Sequence, residues 1–504
     1  MADIRRDDER QSFAALQAQL PEQFRRVFPD PAAPRTVVVV PSLSMDAGVL
    51  AKVSGVHHYE ERMFCFLMLL QYPATRVIYL TSELVAPDVV DYFLSLLPGI
   101  DPADALARLT LLACHDATAR PLTAKILERP RLMARIASLI DDRSAAHMAC
   151  FNVTDMELRL ALCLGIPIYG CDPEHLHLGG KSGSRKLFRA AGLLVPPGYE
   201  DLRDEADVTD ALVALRQAQP DLRRAVVKLN EGFSGDGNAI FRFAGAPDGA
   251  ALRAWIAAHL PHMEFAAHGM GWEEFKSKIA AMGAIVEVFV DGAVKRSPSA
   301  QYRINPLGAL EVISTHEQVL GGADGQVFLG CRFPALDDDR LDIQAMGVPV
   351  GEDLARRGVL GRFGIDYIAV KEATGWRHYA IEINLRKGGT THPFMMLRYL
   401  TSGVYDTDTG LFHAADGAPR YYRASDNIVS EAYRGLTPRD LFDMAEAHGI
   451  RFDEQRQTGV VFHLIGALSQ FGKLGAVCVG RSREEAEHLY DATIAMLEAE
   501  ATRP

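Results

Sequence analysis

The chain has 504 residues, 48% of them hydrophobic and 23% charged, enough for about three or four domains with real cores and too apolar for a disordered tail. Lys and Arg number 53 against 65 Asp and Glu, a net charge of −12 that argues against a nucleic-acid partner, whose affinity depends on cations neutralising phosphates. The seven cysteines form no CxxC pair, the first residues (MADIRRDDERQ) are too charged for a signal-peptide core, and no apolar run reaches about 18 residues, so a cytoplasmic protein with no disulfide scaffold, zinc site or membrane partner is expected.

Residues 1–34 read as an extension, or as a helix packed on the first domain. Strand patterns follow at Thr36–Val40, Arg76–Leu80, Leu109–Ala113 and Met148–Val153, with helical patterns between them near Glu60–Gln71, Val89–Leu97 and Ala124–Ile140. This alternation predicts a parallel, Rossmann-like sheet over 35–175. A dinucleotide-binding GxGxxG is excluded, because the first strand runs into Val40-Pro41-Ser42-Leu43-Ser44. A helical segment centred on Lys186–Ala191 ends before Pro196-Pro197-Gly198. Then come a helix at Val208–Gln217 and strands at Ala225–Leu229, Ala239–Phe243, Ala284–Val290, Ser299–Ile304 and Ala309–Ser314. A helix near Asp338–Arg357 precedes strands Tyr367–Lys371 and Tyr379–Asn384, closing a unit over 176–410. Residues 411–504 show strands Val460–Gly466 and Gly475–Val479 and a helix at Arg483–Glu498, a small α+β domain. The fold class is α/β and α+β, multidomain.

Two stretches carry chemistry. In AVVKLNEGFSGDGNAIFRF, a strand with Lys228 is followed by a turn holding Gly232, Ser234, Gly235 and Gly237, then a second strand. Glycines let backbone N–H groups approach a ligand closely, so such a hairpin suits a flap over a polyphosphate, with Lys228 as a point charge. An ordinary hairpin with a surface lysine is the other reading. Gly180-Lys181-Ser182 imitates the end of a Walker A loop, but His175 stands where that loop needs glycine.

In Tyr379–Asn384, side chains alternate, so Glu382 and Asn384 share one face while Ile381 and Ile383 point into a core. Asp366, on the preceding strand, comes beside them if the two strands form a hairpin. Two carboxylates and an amide suit Mg²⁺ held together with substrate phosphates; a structural salt bridge from Glu382 to an arginine is the alternative. Arg386 and Lys387 then supply cations and Gly388-Gly389 backbone donors, a setting for developing phosphate or oxyanion charge. His392 is either a substrate contact or a structural histidine before proline.

The order of these parts resembles the ATP-grasp superfamily of carboxylate–amine ligases. Segments beginning at Gly55 (Gly55-x-x-x-Tyr59-Glu60-x-Arg62), Arg120, Lys181, Ser297 and Ser314 look like the pheganomycin-type peptide ligases, which combine a pre-ATP-grasp domain, an ATP-grasp domain and a carboxy-terminal domain of their own. The resemblance implies that Lys181 and Lys228 contact ATP phosphates. It implies an adenine hinge at Glu287, Val288, Phe289 and Val290, and two Mg²⁺ on Asp366, Glu382 and Asn384. Superfamily members often carry an acid for the ribose a few residues past the hinge; here Asp291 is the nearest acid, since Ala293, Val294, Lys295 and Arg296 follow Gly292.

The expected reaction joins a carboxylate to an amine, both from amino acids or peptides, through an acyl phosphate with release of ADP and phosphate, in natural-product peptide assembly. Lys228, Arg386 and Arg303 are the catalytic candidates, Arg303 because its fork matches a carboxylate or an acyl phosphate, with a structural ion pair as the alternative. Tyr59, Glu60, His316, Lys387, Gly388, Gly389 and His392 are candidate substrate contacts. An ATP-grasp enzyme that phosphorylates or joins a non-amino-acid substrate, or a nucleotide-binding scaffold without turnover, stays open on these residues. A homodimer is the expected assembly.

Overall fold

The structure, a computed structural model, describes residues 2–232, 237–267, 269–321 and 327–501. Its first sheet is parallel, with strands β1 (Arg35–Val40), β2 (Thr75–Thr81), β3 (Leu109–Ala113) and β4 (Ala146–Cys150) in the order β3-β2-β1-β4. The run of four valines in β1 is buried throughout, as a parallel strand covered on both faces requires. Val37 and Val39 feed one core, Val38 and Val40 another. The N-terminal extension is two helices, Ala2–Gln17 and Leu20–Val27. They dock on this sheet through Phe13 and Leu16 and through Gln23, whose amide donates to the Ala146 carbonyl at 2.9 Å. The helix expected over Ala124–Ile140 is two, Leu122–Leu127 and Pro130–Ser138, because Pro130 cannot continue the first.

The second sheet is antiparallel: β5 (Gly198–Leu202), β6 (Arg224–Leu229), β7 (Asn238–Arg242), β8 (Glu264–Phe265) and β9 (Ala284–Val288), ordered β5-β9-β6-β7-β8. Ala225, Val227 and Leu229 pack on helices Glu205–Ala218, Leu252–His259 and Trp272–Met282. Val226, Lys228 and Glu287 therefore share the opposite face, with Val226 and Glu287 directly opposed across β6 and β9.

The third sheet has nine strands. It comprises β10 (Lys295–Arg296), β11 (Pro298–Ile304), β12 (Leu310–Gly321), β13 (Val327–Phe333), β14 (Gly361–Glu372) and β15 (Gly375–Asn384). A two-stranded ribbon follows, β16 (Val404–Asp406) with β17 (Leu411–His413). Then β18 (Tyr421–Val429), β19 (Gly459–His463) and β20 (Lys473–Gly480) extend the large sheet. Strand β18 pairs with β13, Arg332 opposite Arg423, so the sheet runs unbroken across residue 410. Helix Arg483–Ala501 covers β18 and β20.

One buried cluster joins residues from all three regions: Val37 and Phe64, Phe333 and Leu397, and Tyr422 and Val477. A shared core should unfold as a unit. Calorimetry is expected to show one cooperative transition, and Leu397→Ala should destabilise the whole chain by about 2–5 kcal/mol; a separate low-temperature transition for residues 411–501 would contradict this.

Candidate active site

A cleft of about 960 Å³ opens between the three sheets. Its walls come from the loops after β1 and β4 (Val49 to Ser54, Phe151), from the cleft face of β6 and β9, from β11, β12, β14 and β15, and from β18 and β20. The loops at the carboxyl ends of the parallel strands are the usual ligand-facing edge of such a sheet.

Its floor is the hairpin of β14 and β15. Asp366 stands directly opposite Glu382, and Gly364 opposite Asn384. The register shifts between Asp366 and Tyr367, where Tyr367 pairs with Ala380 and leaves Ile381 as an extra residue. This bulge corrects the strict alternation expected from the sequence: Ile383 is core, whereas Ile381 lines the cleft. Asn384 Nδ2 donates to Asp366 Oδ2 at 2.9 Å, and Gln318 Nε2 donates to Asp366 Oδ1 at 2.6 Å. The Lys181 ammonium pairs with Glu382. Burial and, second, the neighbouring Glu382 raise the Asp366 carboxyl to about 6. Two carboxylates set against each other beside an amide form an oxygen donor set that a hard dication fits, with phosphate oxygens completing its shell. Among the described residues no group of three or more His, Cys, Asp or Glu side chains comes together as a metal cage.

Lys181 begins the helix Lys181–Ala190, which is pinned to β15 where the Ile383 N–H donates to Ser184 Oγ at 3.0 Å. Lys228 Nζ lies 2.6 Å from Glu287 Oε1, and Arg185 Nη1 lies 2.7 Å from Glu287 Oε2. Glu287 is thus held between two cations. Val288, Phe289 and Val290 line the cleft beyond it; the Val288 N–H donates to Pro197 O at 2.8 Å. Gly232 and Gly237 line the cleft at the two ends of the glycine turn, while Ser234 and Gly235 lie outside the described residues.

Arg386, Gly388 and Gly389 line the cleft after β15. A Cβ at Gly389 would sit 2.6 Å from the Phe328 ring, so any other residue there would have to displace that ring. Burial lowers the Arg386 pKa, with Glu382 and Asp366 acting in the opposite sense.

Several candidates fall elsewhere. Arg303 lies directly opposite Glu311 across β11 and β12 and is engaged by it, Nε donating to Oε2 at 3.0 Å, so it is a structural ion pair away from the cleft. Asp291 turns outward to Arg224 and does not line the cleft. Lys387 points back under the first sheet, its Nζ donating to the Cys150 carbonyl at 2.5 Å, and burial pulls it down to about 8. Glu60 is buried and accepts from the Ser82 N–H and hydroxyl, both at 2.6 Å. His392 is buried against His463, Nε2 to Nε2 at 3.0 Å. His316 is buried against the Tyr422 hydroxyl at 2.7 Å. Tyr59 does line the cleft, and with it come Arg62, Gln318, Asp426 and Lys473, none of them singled out as a site residue from the sequence. Arg62 and Gln318 carry a signal there, as the ends of the Gly55 to Arg62 and Ser314 to Gln318 segments.

Comparisons with known proteins give the chain's relatives. The family described as "IQCH-like, ATP-grasp" matches residues 174–244 and 250–408, and "PGM1 C-terminal domain" matches 440–493. The chain is 31% identical to an L-propargylglycine–L-glutamate ligase of Streptantibioticus cattleyicolor, over 96% of this chain and 98% of that one. It is 22% identical to an IQ motif-containing protein H of Danio rerio, over 86% of this chain but only 45% of that one. Among solved structures it shares its fold, at 12% identity, with a biotin carboxylase–β,γ-ATP complex from Campylobacter jejuni (TM-score 0.56, covering 93% of this chain and 95% of that one). The biotin carboxylase domain dimer of the Hydrogenobacter thermophilus 2-oxoglutarate carboxylase gives 0.54 at 12% identity, covering 91% and 89%.

The buried His316 makes stability depend on pH. Burial pulls its imidazole from 6.5 to about 3, so between those values the unfolded chain binds a proton that the native chain does not, and stability falls as pH drops through that window. Urea unfolding from pH 7.5 to 4.5 should show a shallower loss for His316→Gln than for the parent; equal slopes would mean that His316 takes up its proton in the folded state.

Proposed function

The chain belongs to the ATP-grasp carboxylate–amine ligases, and we propose that it joins two amino-acid substrates through an amide bond, with an acyl phosphate as the intermediate. It is an ATP-dependent, ADP-forming ligase that works with Mg²⁺. The observation that carries the finer reading is the Asp366–Glu382–Asn384 set on the cleft floor, with Lys181 on Glu382 and the Arg386–Gly389 loop beside it. The named relative joins L-propargylglycine and L-glutamate, which supports amino acids on both sides.

In this reading the donor carboxylate attacks the γ-phosphorus of ATP and ADP leaves. The amine then attacks the acyl carbon; phosphate departs and the nitrogen releases its proton. Such phosphoryl transfer requires positioning and charge stabilisation more than covalent help. Lys181 and Lys228 hold phosphate oxygens, with Glu287 and Arg185 fixing the Lys228 side chain. Val226 and the Val288–Val290 segment form the apolar seat of the base. Arg386 and the backbone of Gly388 and Gly389 steady the charge on the acyl phosphate, the role that Arg303 cannot take. Asp366, Glu382 and Asn384 would hold two Mg²⁺ ions, which supply charge neutralisation on the phosphates. Divisions near residues 34, 175 and 410, cytoplasmic location and a homodimer belong to the same proposal; among the described residues no helix is long and apolar enough to cross a membrane.

The test is ADP release with ATP, Mg²⁺ and pooled L-amino acids, with mass spectrometry of the products. Amino-acid-dependent ADP and a mass matching a condensation are expected, and Glu382→Gln should cut the rate by about 100-fold or more, a loss of the size seen when one electrostatic partner of a transition state is removed. ADP with a phosphorylated, uncoupled product would replace the ligase by a kinase-like reaction.

A further inference from the structure

Arg62 lines the cleft and is 5% exposed. Its guanidinium lies over the rings of Tyr59 and Phe151, with Cζ 4.5 and 5.0 Å from their centroids. Its Nη1 donates to Asp426 Oδ2 at 3.0 Å. Its Nε and Nη2 are buried and find no hydrogen-bond partner among the described residues. The two rings fix the plane of the fork, Asp426 fixes one end, and the remaining edge carries two adjacent donors. A buried donor without a partner is unfavourable by about 1–3 kcal/mol, more for a charged group. The Nε–Nη2 edge of a guanidinium is the one that matches the two oxygens of a carboxylate.

The surroundings say which carboxylate. The Phe151 ring also carries Arg386, with Cζ 6.0 Å from its centroid, so one ring separates Arg62 from the loop beside Asp366 and Glu382. On the far side Lys473 Nζ donates to the Tyr59 hydroxyl at 2.6 Å, and Asp426 and Lys473 continue the wall. The donor carboxylate must meet ATP at the Arg386 end. A second carboxylate one ring away, next to the opposite charge of Asp426, is the pattern presented by an amino acid that brings the amine.

We propose that Arg62 binds the α-carboxylate of the amine-bearing amino acid and that Asp426 positions its guanidinium. The proposal rests on the ligase reading above, which has an amino acid on each side, and adds the residue that selects the acceptor by its carboxylate.

Two assays separate the halves of the reaction. Hydroxylamine in place of the amine traps the activated donor from pooled L-amino acids as hydroxamate and reads the first half alone. Amide formation with L-amino acids against their α-carboxamides, read by mass spectrometry, reports the acceptor. The parent should prefer the amino acid. Arg62→Gln should raise the KM for the amino-acid acceptor about 10- to 100-fold, the equivalent of one charged hydrogen-bonded contact, lose the preference over the carboxamide, and lower hydroxamate formation far less. Arg62→Lys should recover part of the preference, and Asp426→Asn should weaken it with a smaller rise in KM. A parent that uses carboxamide and amino acid equally overturns the proposal; that is the result expected if a buried water satisfies Arg62 from the void of about 10 Å³ beside it. Equal losses of hydroxamate and amide in a variant whose melting temperature is unchanged also overturn it, by moving Arg62 to the donor side. If Arg62→Gln does not fold, the parent's preference and Asp426→Asn decide. No hydroxamate and no ADP from the parent would remove the ligase reading and this one with it, whereas hydroxamate without an acceptor preference removes this one alone.

Discussion

Two carboxylates facing each other across neighbouring strands are the constraint on which the cleft depends. Like charges in that position destabilise a sheet, and Asp366 opposite Glu382 is tolerated only because the surroundings answer it. Gln318 and Asn384 donate to Asp366, and Lys181 reaches Glu382 from the start of a helix pinned to the same strand. The bulge at Ile381 keeps both acids on the cleft side while Ile383 stays in the core. The stress between the acids is what makes the place receptive to cations. The ordering of Lys181, β12 and β15 around it turns an unfavourable pair into a compensated polar floor of the cleft.

From that floor the cleft runs in two directions with different chemistry. Toward β6 and β9 its wall has Lys228 and Arg185 locked by Glu287 beside the apolar side chains of Val226 and Val288, the place where we propose the nucleotide sits. Toward β18 and β20 it is a mixed-charge pocket in which Arg62, Asp426 and Lys473 meet around the rings of Tyr59 and Phe151. The carboxyl-end loops of the first sheet close the second pocket. The shared core through Phe64, Leu397 and Val477 holds the opposing walls in register.

The parallel sheet was readable because strand and helix periods alternate cleanly, and the metal face because Glu382 and Asn384 are two apart on a strand. Their meeting with Asp366 followed from a short hairpin, which is local information. The misplacements share another cause. Arg303 has the right residue type on a strand that lines the cleft, but Glu311 lies opposite it, and only strand register reveals that partner. His316, His392 and Lys387 stand near functional residues in sequence yet turn into the core, where Tyr422, His463 and the Cys150 carbonyl receive them. Strand β18 was missed because Arg423, Ser425, Asp426 and Asn427 break its apolar pattern, and two of those, Asp426 and Asn427, are the ones that face the cleft. Arg62 and Asp426 are 364 positions apart, a separation that no local pattern bridges.

The continuity of the large sheet has a bearing on how the molecule is made. During synthesis the hairpin of β14 and β15 and the β6–β9 wall are complete in sequence once residue 384 has left the ribosome, but the wall bearing Asp426 and Lys473 arrives last, and the edge of β13 stays open until β18 pairs with it. A nascent chain at that stage has Lys181, Lys228, Asp366 and Glu382 in hand and lacks the wall in which Asp426 engages Arg62. The cleft is therefore walled on every side only when the final strands arrive, so the last residues made complete the site that the first ones began.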